Sequence, residues 1–247
     1  MKLAEYLDEI EKFLRQYLSD SHAKGYVLGV SGGIDSALVA ALTVKSCGSD
    51  KLLALLMPID SNPNDVADGV LLCQKFEINY QIIDLSDAYH SLIAKYEISN
   101  DEAGKLALNN TKVRLRMVTL YAYAQSRNAL VLGTDNADEI HVGYFTKYGD
   151  GAADLVPIAE LTKGEVFQAS KLLGVPNSIL TRVPTAGLFS GQTDEGELGV
   201  TYTQLDDYLL GKEVDQKVKD RIQYLHRISD HKRNPIPRPI KYIRNNK

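Results

Sequence analysis

Short apolar runs alternate with amphipathic segments along the first half of the chain. Four runs rich in Val, Leu and Ile have the length of buried strands: Tyr26–Val30, Leu52–Met57, Tyr80–Leu85 and Ala129–Gly133. Helical spacing of apolar residues predicts helices around them, at 3–18, 37–45, 66–76, 86–96 and 103–126. This alternation indicates right-handed parallel crossovers. It therefore predicts an α/β fold in three layers, a mostly parallel, twisted sheet with helices on both faces.

The second half is more irregular. Segments 146–154 and 185–199 are rich in Gly, Asp and Glu, and between them Thr162-Lys163-Gly164-Glu165 is a capping-box pattern that opens a helix to about Leu173. Two more helices are predicted at 205–210 and 214–228, and the proline-containing tail from His231 is expected to be extended. Since no linker or repeat interrupts the pattern, we expect one domain over residues 1–247.

Composition narrows the class of protein. Charged residues make up 24% of the chain and the formal charge is −4, so nucleic acid is not an expected partner. No apolar run approaches the ~20 residues that span a bilayer, and the N-terminus lacks an apolar signal core. We therefore expect a cytoplasmic protein with no membrane partner. Cys47 and Cys73 have no metal-ligand spacing and are interpreted as free thiols.

A glycine-serine loop between the first strand and its helix carries the strongest chemical signal. It consists of Gly29, Val30, Ser31, Gly32, Gly33, Ile34, Asp35 and Ser36. The glycines let a ligand approach the main chain, and the free N–H groups of a helix N-terminus favour an anion. Phosphate alone would repel the acid in this loop. We interpret Asp35 as a ligand of a Mg²⁺ ion shared with the phosphates.

Other interpretations of the loop remain open. A Walker A loop needs Gly-Lys-Ser/Thr, which does not occur, and Ser31 stands where the GxGxxG fingerprint requires its second glycine. Gly29–Gly33 matches the GxSxG elbow of α/β-hydrolases, although that elbow follows several strands and only one precedes Ser31. The remaining alternative is a glycine-rich turn that merely joins a strand to a helix.

The motif SGGIDSA resembles the signature of the ATP pyrophosphatases, which split ATP between the α and β phosphates. Further segments resemble the ammonia-dependent NAD synthetases within that superfamily, in family order: 110–117, 133–139, 143–154, 161–163, 184–186, 191–199, 202–209 and 231–233. The resemblance implies an adenine nucleotide alpha-hydrolase-like fold and a homodimer. It also implies the last step of NAD biosynthesis, in which deamido-NAD, ATP and ammonia give NAD, AMP and pyrophosphate through an adenylated nicotinate.

The resemblance assigns roles to residues outside the loop. Thr134, Lys163 and Thr185 would contact ATP, and Glu139 would join Asp35 on Mg²⁺. Deamido-NAD would be bound by Arg114, Lys147, Asp154, His231 and Lys232. Arg114 and Arg116 are two apart on a helix and point in different directions, and the family match selects Arg114. No protein nucleophile is assigned.

Three further expectations concern the mechanism and the assembly. Asp150 would assist the deprotonation of ammonia, and segment 193–197 would close as a lid. Helix 103–126 would form the dimer interface, although a buried core helix would show the same apolar pattern. Val113 stands where the family more often has alanine, and 59–65 lacks the common Gln-rich form, so no adenine contact is assigned beyond Met57. Glutamine-using relatives carry a separate nitrilase-like domain with a catalytic cysteine. Neither cysteine here suits that task, so free ammonia is the expected nitrogen donor.

Two functions of other classes remain as alternatives. A different ATP pyrophosphatase, such as a tRNA-modifying enzyme, would need a catalytic cysteine or a basic surface for RNA. A non-catalytic adenine-nucleotide sensor would have no use for Glu139 together with Lys163.

Overall fold

The computed structural model describes residues 1–182 and 193–242. Within them, the strands form one parallel sheet in the order β3-β2-β1-β4: β1 (Tyr26–Gly29), β2 (Leu52–Leu56), β3 (Asn79–Ile82) and β4 (Leu130–Leu132). Every pairing in this sheet is parallel. The four predicted strands and their parallel arrangement are thereby confirmed. The third strand is shorter than predicted, because Asp84 accepts a hydrogen bond from the Ser86 backbone N–H at 2.8 Å where the next helix begins.

Helices connect and flank the strands. Their bounds are α1 (Leu3–Asp20), α2 (Ile34–Cys47), α3 (Pro63–Lys75), α4 (Ser86–Ile93), α5 (Glu102–Arg127), α6 (Ala137–Val142), α7 (Lys163–Leu172), α8 (Asn177–Leu180), α9 (Asp194–Leu198), α10 (Tyr202–Leu209), α11 (Gln216–Ile228) and α12 (Asp230–Arg233). The short helices α6, α8, α9 and α12 were not predicted from apolar spacing, since four to six residues carry too little of it.

The extended tail predicted from His231 is wrong over its first residues, which belong to α12. Proline restricts the backbone only from Pro235 onward, so the residues before it are free to turn. The Arg233 guanidinium donates to Ser229 Oγ at 2.7 Å, and the Lys232 ammonium donates to the Gly143 carbonyl at 2.7 Å. These contacts hold the start of the tail against the body of the protein.

The core lies on both faces of the sheet because strand side chains alternate between the faces. Leu28 and Leu132 pack with α1, α2 and α7 on one face, whereas Val27 and Val131 pack with α5 on the other. This confirms the prediction of helices on both faces. It also explains why the strands are apolar throughout, as is typical of parallel sheets.

Few residues of helix α5 are buried by the rest of the chain. Asp101 caps its start, with Oδ1 accepting from the Gly104 N–H at 2.8 Å, and Asn128 ends it in a left-handed conformation. Of its 26 residues only Gly104 and Ala124 are buried, while Leu106 and Val118 are 57% and 58% exposed. In the described part of the chain, neither α5 nor any other helix combines the length and apolarity needed to cross a bilayer.

The two thiols are unpaired, as predicted. Cys73 is buried in α3 and Cys47 is half-buried at the end of α2. Burial raises the pKa of Cys73 to about 11, so this thiol stays protonated and unreactive at neutral pH.

Candidate active site

The carboxyl ends of β1, β2 and β4 open into a cavity of about 450 Å³. This is the edge at which ligands bind in open parallel sheets. The glycine-serine loop lies at the end of β1, Met57 and Ser61 at the end of β2, and Thr134 and Glu139 beyond β4. The sequence prediction that loops 31–36 and 133–139 share one edge is therefore confirmed.

Hydrogen bonds within the loop give it a defined shape. Ser31 Oγ accepts from the Gly33 N–H at 3.2 Å, and Ser36 Oγ donates to the Gly33 carbonyl at 3.0 Å while accepting from the Ser31 N–H at 3.3 Å. Gly32 has φ +81°, and a Cβ there would press on the Asp65 carbonyl oxygen of α3. The loop thus follows a path against α3 that only glycine accepts at this position.

Replacing Gly32 tests this path. Gly211 has φ +73° with open space around it, so Gly211→Ala should cost about 1–2 kcal/mol of unfolding free energy from the left-handed backbone alone. Gly32→Ala should lose a further ~1–3 kcal/mol, because Ala must also push α3 away. Urea denaturation of both variants measures the difference. Equal losses would show that the contact with Asp65 does not constrain the loop.

Asp35 and Glu139 are joined by one buried ammonium group. Lys163 Nζ donates to Asp35 Oδ2 at 2.7 Å and to Glu139 Oε1 at 3.0 Å. The Lys163 side chain is only 3% exposed. Burial lowers the Lys163 pKa, but the two carboxylates outweigh it and raise the pKa above its ordinary value, so the lysine is charged. The two carboxylates predicted to bind the metal ion therefore both contact the lysine predicted to bind phosphate.

Local structure orients each of these groups. Asp35 lies in the first turn of α2, Glu139 in the first turn of α6, and Lys163 is the first residue of α7. Asn136 links two of them, since its side-chain oxygen caps α6 while its Nδ2 donates to Asp35 Oδ1 at 2.9 Å. The first turns of α2, α6 and α7 therefore converge on the same end of the cavity.

Two further side chains, Tyr202 and Asp194, lie close to Glu139, and the sequence pattern did not reveal them. The Tyr202 hydroxyl lies 3.2 Å from Glu139 Oε1 and 3.0 Å from Asp194 Oδ2, and the Lys163 ammonium lies 4.6 Å from the centre of the Tyr202 ring. Burial and the charge of Asp35 raise the pKa of Glu139 to about 7. Three carboxylates with a single lysine make this end of the cavity rich in negative charge.

The donor set at this end fits a hard divalent cation. Magnesium in proteins is held by one or two carboxylates, with substrate phosphates and water completing the shell. Asp35 and Glu139 supply the carboxylates, and the loop places backbone N–H groups beside them. A site made of protein ligands alone is not present, because no group of three metal-binding side chains occurs in residues 1–182 and 193–242.

The opposite end of the cavity lies at β2. Arg116 reaches it from α5, with Nε donating to the Met57 carbonyl at 2.9 Å and Nη2 to Ser61 Oγ at 3.3 Å. Arg182 of the neighbouring wall is paired with Asp65 and, at 3.2 Å, with Asp68. The family resemblance favours Arg114 over Arg116, whereas the structure places Arg116 and not Arg114 in the cavity.

The residues predicted for deamido-NAD are divided between two places. Lys232 lines the cavity, whereas Arg114, Lys147 and His231 lie outside it in contact with one another: Arg114 Nε donates to the Lys147 carbonyl at 3.2 Å, and Lys147 Nζ to the His231 carbonyl. Asp154 also lies outside the cavity lining, and its Oδ2 accepts from the Val131 N–H at 2.7 Å. Their roles in binding stay predictions.

The structure also locates Asp150 and segment 193–197. Asp150 lines the cavity and accepts from the Thr146 and Gly151 N–H groups at 2.7 and 3.1 Å. Segment 193–197 forms the start of α9, which brings Asp194 to the cavity. Thr185 falls outside the described residues.

The cavity also bears on the hydrolase interpretation of the loop. No histidine is found among the described residues that line the cavity, and a serine hydrolase would need one as the base for Ser31.

The fold and the cavity together define a class. A parallel four-stranded sheet with helices on both faces, and a glycine-serine loop that follows its first strand, agree with the adenine nucleotide alpha-hydrolase-like fold. Comparison with known proteins makes the assignment narrower. The model of the NAD synthase family matches residues 6–236, and the chain belongs to this family.

Individual relatives agree with this assignment. The NH₃-dependent NAD⁺ synthetase of Mesoplasma florum is 47% identical over 244 residues, which cover 99% of this chain and 100% of that protein. Among solved structures, the NMN synthetase of Francisella tularensis has a TM-score of 0.92 and 41% identity, and it covers 98% of this chain and 100% of that one. An NH₃-dependent NAD synthetase from Campylobacter jejuni has a TM-score of 0.80 and 29% identity, at 98% and 100% coverage.

Proposed function

We propose that this chain amidates deamido-NAD with ammonia and ATP, giving NAD, AMP and pyrophosphate. Family membership and the names of its full-length relatives support the reaction. The observation in the molecule that carries it is the contact of Asp35, Glu139 and Lys163 beside a phosphate loop. A site for a metal ion and a triphosphate requires carboxylates that bind the metal and a cation that binds phosphate oxygens, and both kinds of group lie together there. We further propose that residues 1–247 act as one catalytic domain in the cytoplasm.

The chemistry explains why ATP is cleaved at its α phosphate. A nicotinate carboxylate at neutral pH is a poor electrophile, and transfer of AMP to it gives a mixed anhydride with a good leaving group. Mg²⁺ bound by Asp35 and Glu139 would supply positive charge to the phosphates. The loop N–H groups would bind phosphate oxygens, with Thr134, Lys163 and Thr185 as further contacts. Catalysis then relies on positioning and electrostatics.

Deamido-NAD would extend from the cavity over the exposed group formed by Arg114, Lys147 and His231. Its pyrophosphate and nicotinate carboxylate are anions, and Lys232 continues this basic group into the cavity. Asp154 would accept a hydrogen bond from a ribose hydroxyl. Asp150, which lines the cavity, would accept a proton from the attacking ammonia.

Arg114→Ala tests this binding surface. We expect the KM for deamido-NAD to rise about 10- to 100-fold, because the variant loses a contact with a charged group of this substrate. The KM for ATP should stay near that of the unchanged protein. Steady-state kinetics with each substrate varied in turn gives the comparison. Arg227→Ala, which removes an exposed arginine of α11, is the control. If both KM values rise by the same factor, Arg114 does not bind the dinucleotide selectively.

We also propose a homodimer formed through α5. The helix exposes Leu106 and Val118, and a second copy would cover them. Analytical ultracentrifugation of the purified chain should give twice the monomer mass. Leu106→Glu combined with Val118→Glu should shift the protein towards monomer, and a dimer that survives these substitutions would place the interface elsewhere.

The structural neighbour named NMN synthetase supports a second candidate acceptor, the mononucleotide counterpart of deamido-NAD. Pyrophosphate release by the purified chain with ATP, ammonium and each acceptor decides between them. We expect higher kcat/KM with deamido-NAD. A preference for the nicotinate mononucleotide would make NMN the product. No release with either acceptor would favour an adenine-nucleotide sensor or a tRNA-modifying enzyme.

A further inference from the structure

Among the residues that the structure describes, none provides a counterion for the Arg116 guanidinium in the cavity. Its two hydrogen bonds go to uncharged acceptors, the Met57 carbonyl and Ser61 Oγ, and they use Nε and Nη2. Within the described residues, no carboxylate lies at ion-pair distance from it. A half-buried charge that lacks a partner is costly, and proteins keep such charges where a ligand supplies the opposite sign.

The two acids whose charges act on Arg116 are already engaged by other groups. Asp65 and Asp150 act on its charge from a distance, but the Asp65 carboxylate is paired with Arg182. Asp150 Oδ1 accepts from two backbone N–H groups. Lys163 differs from Arg116 in this respect, because two carboxylates contact it directly. Arg116 is therefore ready to bind an anion that enters the cavity.

Position along the sheet edge indicates which anion this is. Strand order places β2 beside β1 and β4 on the far side of β1. The two carboxylates share Lys163, and Glu139 lies beyond β4. Arg116 contacts the end of β2, and the ends of β2 and β4 are two strand spacings, about 10 Å, apart along the edge. A nucleotide with its pyrophosphate at the carboxylates would place its adenosine and first phosphate toward β2.

We propose that Arg116 binds the phosphate that stays with adenosine, as the α phosphate of ATP and then as the phosphate of AMP. This inference rests on the proposed function. In the first step a nicotinate oxygen attacks that phosphorus, and its bond to the bridging oxygen breaks as pyrophosphate leaves with the electron pair. In the second step ammonia attacks the carbonyl carbon, the carbon–oxygen bond breaks, AMP leaves with the pair and the nitrogen loses one proton.

A guanidinium suits this position in both steps. The oxygens around the phosphorus carry negative charge throughout, and the planar fork of arginine matches them with two N–H groups at once. Nη1 makes no hydrogen bond to the described protein residues and Nη2 only a 3.3 Å one, so both can turn to the phosphate. Met57 and Ser61 hold the side chain in place for it.

The test compares AMP with adenosine, which differ only in the phosphate. We expect Arg116→Met to weaken binding of AMP to the full chain about 10- to 100-fold and to leave binding of adenosine unchanged within about twofold. Ligand-observed NMR or calorimetry gives both affinities. Arg227→Met, which makes the same replacement at an exposed arginine of α11, is the control and should change neither affinity by more than about twofold.

Other outcomes overturn the proposal. An equal loss for AMP and adenosine would show that Arg116 shapes the nucleoside pocket, and no loss for either would show that it is not a ligand. If Arg116→Met does not fold, Arg116→Lys decides by the same comparison, since lysine keeps the charge but loses the fork. Turnover of the unchanged chain with deamido-NAD is measured separately, so failure of the proposed reaction is distinguishable from failure of this inference.

Discussion

Asp35→Asn should lower turnover by about 10²- to 10³-fold, the effect typical of removing one preorganised electrostatic contact at a reacting centre. The substitution removes a negative charge and almost no volume. Lys163 would keep one carboxylate partner, Glu139, and the side-chain oxygen of the introduced amide could still accept from Asn136 Nδ2. The fold should therefore be retained while the pair of carboxylates proposed to hold Mg²⁺ loses half its charge.

Initial rates over a wide range of Mg²⁺ concentration measure this loss, with thermal unfolding as the test of folding. Asp8→Asn, which neutralises an exposed acid on α1, is the matched control and should leave the rate unchanged. Recovery of the full rate of the Asp35 variant at saturating Mg²⁺ would reduce its role to metal affinity. A normal rate at ordinary Mg²⁺ would remove Asp35 from the site.

The nitrogen donor gives the second large effect. We expect the purified chain to form NAD with ammonium and none with glutamine. At a fixed total of ammonium the rate should rise with pH in proportion to the NH₃ fraction, because only the neutral molecule has a lone pair with which to attack. Release of ammonia from glutamine by thioester chemistry needs a reactive cysteine. Cys73 is buried with a raised pKa, and neither cysteine is among the described residues that line the cavity.

Product formation with each donor across pH checks this expectation. Glutamine together with an added glutaminase should restore turnover, which controls for inhibition by glutamine itself. Turnover with glutamine alone at the rate seen with ammonium, in a preparation free of contaminating amidase, would mean that this chain or a partner holds a glutaminase activity.

The layout of the sheet and the position of its loops could be predicted because they depend on local pattern. Strand runs such as Leu52–Met57 are apolar on both faces, and the glycines of 29–36 mark a loop whose main chain a ligand can approach. Asp35 stood out as an acid in a phosphate loop. Glu139 and Lys163 followed from the family match, and their direct contact became evident only in the folded chain.

Tyr202 and Asp194 could not be predicted in the same way. Tyr202 reaches Glu139 across 63 residues of sequence and links it to Asp194. Tyr202 and Asp194 lie on short helices, and the apolar pattern of such a helix does not show which residues its first turn faces.

The two arginines of α5 illustrate a different difficulty. Residues two apart on a helix point in different directions, but only the position of the helix on the sheet decides which one enters the cavity. The family match selected Arg114, and packing brings Arg116 inside.

The lysine between Asp35 and Glu139 has a thermodynamic consequence for the order of binding. A bare divalent cation that approaches these oxygens must compete with an ammonium group already 2.7 and 3.0 Å from them. A triphosphate offers Lys163 new oxygens to bind and so releases the carboxylates. We therefore expect metal and nucleotide to enhance each other's affinity. Linkage requires the enhancement to be the same factor in both directions, so the pair should bind as one cooperative unit.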